Sequence, residues 1–168
     1  MRPALLFAFT VLLLLLNGCA NYQLGTPGEL PFRSIYVEPV RNNTFAPQVS
    51  AVLSDQIVEK LQQQPNLFVS DQSQADVTLM TTVVEYDREI GATQRSDTAL
   101  AQSYNLIMRC NISLRDNRTG EIIMNSRSVQ AEQQAFVDGG FLTAEYQALP
   151  VLTRDMARSI TNEVVSVW

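Results

Sequence analysis

The sequence predicts an α/β (α+β) fold: a two-layer sandwich in which two helices pack on one face of a mixed sheet of about four to five strands. Three observations predict it. A short strand, an amphipathic helix and a second short strand follow one another after Pro31; three long runs of alternating apolar and polar residues come next; and a second amphipathic helix closes the chain. The element order is β-α-β-β-β-β-α, and helices laid on one side of a sheet bury both apolar surfaces.

The N-terminal segment stands apart from this pattern. Its apolar run from Ala4 to Leu16 covers 13 residues, whereas a helix crossing the hydrocarbon core needs about 20. With Arg2 ahead of it and the small residues Gly18 and Cys19 behind it, the run is read as an export signal. Leu16-Asn17-Gly18-Cys19 also resembles the bacterial lipobox, which implies cleavage before Cys19. A diacylglycerol and an N-acyl chain would then be attached covalently to that residue. More than one acyl chain gives stable membrane attachment, so the expected organisation is a signal peptide over 1–18, a lipidated tether over 19–31 and a single domain over 32–168. Ala20 stands where Asp would favour retention in the inner membrane, so the outer membrane, on its periplasmic side, is the expected location.

Each element of the domain has its own signal. In "FRSIYVEPV" (Phe32 to Val40) Ile35 and Val37 mark a strand that Pro39 should end, and "RNNTFAPQ" then reads as a turn. Pro47 suits the first turn of a helix, whose face carries Val49, Val52, Leu53, Ile57 and Leu61 and which should stop near Gln64, ahead of Pro65. "LFVS" (Leu67 to Ser70) is a second strand, expected to lie parallel to the first. "ADVTLMTTVVEYDRE" (Ala75 to Glu89), "SYNLIMRCNISLRD" (Ser103 to Asp116) and "EIIMNSRSVQAEQQAFV" (Glu121 to Val137) read as an antiparallel meander. In the middle run Tyr104, Leu106, Met108, Cys110, Ile112 and Leu114 share one face. From Thr143 on, Tyr146, Leu149, Leu152, Met156, Ile160, Val164 and Val167 recur at threes and fours; Pro150 means that this helix either begins near Leu149 or kinks there.

Composition narrows the chemistry. The chain has no His, the commonest general base and metal ligand. It carries neither a Gly-rich phosphate loop nor a GxSxG motif. The expected mature part bears 11 basic and 17 acidic side chains, a formal −6, which argues against nucleic acid as a partner. Cys110 has no mate once Cys19 carries lipid, and a small buried residue is the simpler account of it. Glu85, Asp87 and Glu89 alternate along one strand and invite an acid-pair or calcium reading, but a solvated strand end with Arg88 nearby is the simpler account of them. A binding or assembly role, without catalytic residues, cofactor or metal, is therefore expected over an enzymatic one.

"SIYVEPVRNNTF" (Ser34 to Phe45), "ADVTLMTTVVEYDRE" and "YNLIMRCNISLRDNRTGEII" (Tyr104 to Ile123) together resemble the LptE family, the lipopolysaccharide-assembly lipoproteins of Gram-negative outer membranes. The resemblance spans nearly the whole expected mature chain. It implies a non-enzymatic partner that plugs the LptD β-barrel, helps it assemble and assists insertion of lipopolysaccharide into the outer leaflet. Lipopolysaccharide is phosphorylated, and Arg suits phosphate through its forked donors. Between residues 103 and 130 four arginines stand against two carboxylates, a local +2. Arg109, Arg118 and Arg127 are thus candidate contacts, with Arg88 and Arg95 in reserve. The alternative reading is a lipid-anchored periplasmic regulator of an envelope enzyme such as a peptidoglycan synthase, for which the tether is short.

Overall fold

In the computed structural model, which describes residues 30–46, 48–94, 97–137 and 140–167, Ser34–Val37 forms strand β1 with Ile35 fully buried. It ends ahead of Pro39. The chain then returns to the sheet as β2, Arg41–Asn42, a two-residue strand too short to leave a periodic signature. The turn expected across "RNNTFAPQ" therefore starts only at Asn42, where Oδ1 accepts from Thr44 N at 2.9 Å and Nδ2 donates to Ala46 O at 2.8 Å. Asn is a natural turn former because its side chain replaces a backbone partner. Pro47 lies outside the described residues.

Helix α1, Val49–Gln62, buries Val49, Leu53, Ile57 and Leu61, a stripe at intervals of four that rides on one face. Strand β3, Phe68–Val69, follows, and β1 pairs in parallel with both β3 and β4. The meander is present: β4 (Val77–Gln94), β5 (Asp97–Asp116) and β6 (Ile122–Phe136) pair antiparallel. β4 and β5 run past Glu89 and start before Ser103, so their hairpin is longer than the sequence pattern indicated. The six-stranded sheet has the order β3-β1-β4-β5-β6, with β2 also beside β4. This is one strand more than the four to five expected, and the extra strand is β2.

Helix α2 spans Phe141–Val165 without interruption. It begins ahead of both expected starting points, Thr143 and Leu149, and it passes through Pro150. The lost N–H of Pro150 would have paired with the carbonyl of Tyr146, and both residues are exposed, so water can satisfy that carbonyl. Just beyond, Thr153 Oγ1 donates to Leu149 O at 2.9 Å. Tyr146 was expected on the apolar face but is 69% exposed, because Ala144, Glu145, Ala148 and Leu149 occupy the inward positions of those turns.

Both helices lie against the same side of the sheet and against each other. Leu106, Met108, Cys110, Ile112 and Leu114 of β5 are fully buried there with Leu152, Met156 and Ile160 of α2. Burial pushes the Cys110 thiol up to about 12, so at neutral pH it is a small apolar residue. At the other end of the sheet Asp76 fastens the start of β1 to β4: its Oδ2 accepts from Arg33 N and Ser34 N at 2.9 Å and from Ser34 Oγ at 2.8 Å. These donors, the Arg33 amide foremost, hold its carboxyl below the usual carboxylate range.

Leu152→Ala is expected to cost about 2–5 kcal/mol in urea unfolding, the range for emptying a fully buried site. Asp76 contributes stability that is complete above its unfolded value near 4 and is lost as pH falls through its depressed folded value. Asp76→Asn should therefore be less stable than the native chain at pH 7, and the gap between the two should close toward pH 2 in unfolding titrations.

Candidate functional site

The sheet is covered on one side only among the described residues, and the bulge at Val84 of β4 decides what the other side displays. Val83 pairs with Cys110 and Glu85 pairs with Arg109, so Val84 is an extra residue with no partner. Before it, Val77, Leu79, Thr81 and Val83 are buried; after it, Tyr86 and Arg88 are the residues that reach α2. A bulge of this kind shifts the two-residue period by one. Without it, Glu85, Asp87 and Glu89 would continue the phase of Val83 into the core. That phase conflict is visible in "TTVVEYDRE", and it was the available sequence signal for the bulge.

The outward face of the meander is consequently built in rows across three strands. Glu85, Arg109 and Gln130 form one row, Asp87, Ile107 and Glu132 the next, and Glu89, Asn105 and Gln134 the third. The Arg109 guanidinium pairs with Glu85 and donates to Gln130 Oε1 at 3.2 Å. At the end of this face Gly91 lies directly under Ser103, where any β-carbon would stand 2.8 Å from Ser103 Oγ. Phe136, opposite Ser103, is 66% exposed.

The inward face at the same level carries a polar cluster around a buried carboxylate. Glu145 of α2 is 4% exposed and accepts from Arg88 Nη2 at 2.9 Å, from Arg88 Nε at 3.1 Å and from Tyr86 Oη at 2.8 Å. The Arg88 guanidinium sits 5.4 Å from the ring centres of both Tyr86 and Phe141, within cation–π range. Phe141 in turn meets Tyr104 edge to face at 4.7 Å. Burial, with the Glu145 carboxylate second, pushes the Tyr86 phenol well above its ordinary value. Sequence reasoning missed Glu145. Its only signal is its position four residues before Leu149, on the apolar stripe, where an acid demands a partner.

The proposed phosphate-binding arginines do not converge. Arg109 lies on the outward face beside Glu85; Arg88 is on the opposite face, locked to Glu145; Arg127 pairs with Glu163 of α2 at 2.6 Å. Arg118 lies in the β5–β6 turn, which closes with Asp116 Oδ1 accepting from the amides of Arg118 and Thr119, and with Gly120 at φ +75°. That turn borders an open groove of about 510 Å³ floored by Phe32, Val77 and Ile122, where Asp76 and Asp116 accompany Arg118. The Thr119 amide, above all, holds the Asp116 carboxyl below its usual range. Cys19 and Arg95 lie outside the described residues.

Comparison with known proteins places this geometry in a family. The family model LptE, described as lipopolysaccharide-assembly, matches residues 32–164. No curated protein sequence matches the chain. Among solved structures, protein XCC0632 from Xanthomonas campestris superposes with a TM-score of 0.59 at 9% identity, over 80% of this chain and 85% of its own. CT253 from Chlamydia trachomatis gives 0.57 at 11%, over 80% and 96%. A minor lipoprotein from Acinetobacter baumannii gives 0.50 at 14%, over 82% and 95%. At such identities these structures show a shared fold alone.

Glu145→Ala is expected to cost about 2 kcal/mol, because hydrogen bonds to charged groups are worth ~1.5–3 kcal/mol and the partly exposed Arg88 recovers water. A double-mutant cycle with Arg88→Ala, read by thermal unfolding, should show a coupling of about 1 kcal/mol.

Proposed function

The chain belongs to the LptE family of lipopolysaccharide-assembly proteins, and on that premise we propose that it is a non-enzymatic outer-membrane lipoprotein that plugs an LptD-type β-barrel. In this role it helps the barrel assemble and assists insertion of lipopolysaccharide into the outer leaflet. The observation that carries the reading is the family match across residues 32–164, nearly the whole domain. Two physical features support it. Lumens of large outer-membrane barrels are polar, and the outward sheet face offers Asn105, Asn111, Ser128, Gln130 and Gln134, neutral groups that a polar wall can satisfy. A lipid on Cys19 would also keep the domain close to the bilayer, since the residues from there to Ser34 reach at most ~50 Å when extended.

No helix among the described residues is long and apolar enough to cross a membrane, so attachment in this reading rests on the lipid. Affinity capture of the native lipoprotein from outer membranes should recover a large β-barrel; recovery of an inner-membrane synthase instead would sink the plug reading.

The arginines differ in what they can offer a phosphate. Arg127 and its Glu163 partner are 55% and 35% exposed in their side chains, and an exposed pair of that kind is worth ~0–1 kcal/mol, so its guanidinium can exchange partners at little cost. Arg118 has no ion pair among the described residues. Arg88 is committed to Glu145. Replacing Arg118 and Arg127 together by Glu should weaken retention of lipopolysaccharide by the purified protein about tenfold, as two charge-assisted contacts would imply; unchanged retention would remove both from the site.

A further inference from the structure

We propose that the outward face of the β4-β5-β6 meander is an acidic docking surface for a protein wall that carries lysines and arginines. The inference rests on the barrel-partner reading above and names the chemistry of the contact. Its basis is the charge on the face. From the bulge outward the three rows hold four carboxylates, Glu85, Asp87, Glu89 and Glu132, against one guanidinium, Arg109, which is already engaged by Glu85. The local balance is −3, and of the candidate phosphate-binding arginines among the described residues only Arg109 stands on this face. Asp87, Glu89 and Glu132 are exposed, and no helix covers them among the described residues.

Such a face disfavours an anionic occupant. Repulsion between like charges acts over a Debye length of ~8 Å at physiological ionic strength. A bridging metal is not built in, because Asp87 and Glu132 stand on either side of β5, about 10 Å apart by strand spacing. No cluster of three potential ligands occurs among the described residues. Ile107, half-buried at the centre of the acids, and the exposed Phe136 at their end supply apolar contact area. From Glu85 to Gly91 the three strands give a patch about 14 Å across and roughly 24 Å long, about 340 Å², less than half of the ~800 Å² per partner of a specific interface, so the acidic face is one part of a larger contact. Charge complementarity on this scale sets orientation and excludes wrong partners. In the proposed assembly, the acidic face meets the cationic wall and leaves lipopolysaccharide to the helix side and the turn of Arg118.

The test uses the full-length lipoprotein in its own outer membrane. A zero-length carbodiimide, which joins a carboxylate to a lysine amine in direct contact, should link Asp87, Glu89 or Glu132 to lysines of the co-purifying β-barrel. The triple variant Asp87→Asn, Glu89→Gln, Glu132→Gln should lose those links and recover about fivefold less barrel, with its melting temperature preserved because all three side chains are exposed. If the native protein recovers no barrel, this inference and the plug reading fall together. If the barrel is recovered but every link arises from carboxylates elsewhere, or the triple variant recovers it undiminished, the inference about the face falls and the plug reading stands.

Discussion

Val84, the unpaired residue of the β4 bulge, is the constraint on which the distal half of the molecule depends. Alternation along a strand is strict, so one inserted residue exchanges the faces of everything beyond it. Here the exchange turns Glu85, Asp87 and Glu89 away from the core and Tyr86 and Arg88 toward α2. Three carboxylates in a core without partners would each carry a desolvation penalty of several kcal/mol. The bulge removes that conflict, and in doing so it creates both the acidic outward face and the site at which α2 is clamped.

The clamp shows how a charged residue can sit on an apolar stripe. Glu145 is almost fully buried, yet each of its oxygens has a donor, two from Arg88 and one from Tyr86. Aromatic rings from β4 and α2 flank the guanidinium, and the β5 ring of Tyr104 packs on the second of them. The first turns of α2 are thus held by directional contacts where its apolar stripe is thin, made of Ala144 and Ala148, while Leu152, Met156 and Ile160 hold the later turns by packing. One helix is secured by two kinds of force along its length.

Much of the fold was legible. Spacings of four in α1, strict alternation from Leu106 to Leu114 and the turn residues from Asp116 to Gly120 each announced their element, and the structure places them so. Where reading failed, the signal was absent or opposed. β2 is two residues long and held only by pairing to β4; Tyr146 fits the apolar period of α2 but lies a step outside the stripe; and Pro150 argues for a break that solvent exposure makes unnecessary. The arginines were legible as a local excess of positive charge, but sequence proximity says nothing of direction. Arg109, Arg118 and Arg127 leave the sheet on its outward face, at its turn and on its helix side.

By itself the sequence determined the layers: periodicity dictates which residues must leave water, and two amphipathic helices with an alternating meander have few ways to do so. It also carried the family, through the order and spacing of short motifs. Which charges meet, and on which face, was decided only by the tertiary structure. Ion pairs such as Arg88 with Glu145, 57 residues apart in the chain, depend on strand register and on the Val84 bulge; the bulge shows in the sequence only as a phase conflict within "TTVVEYDRE", and the register leaves no periodic trace at all.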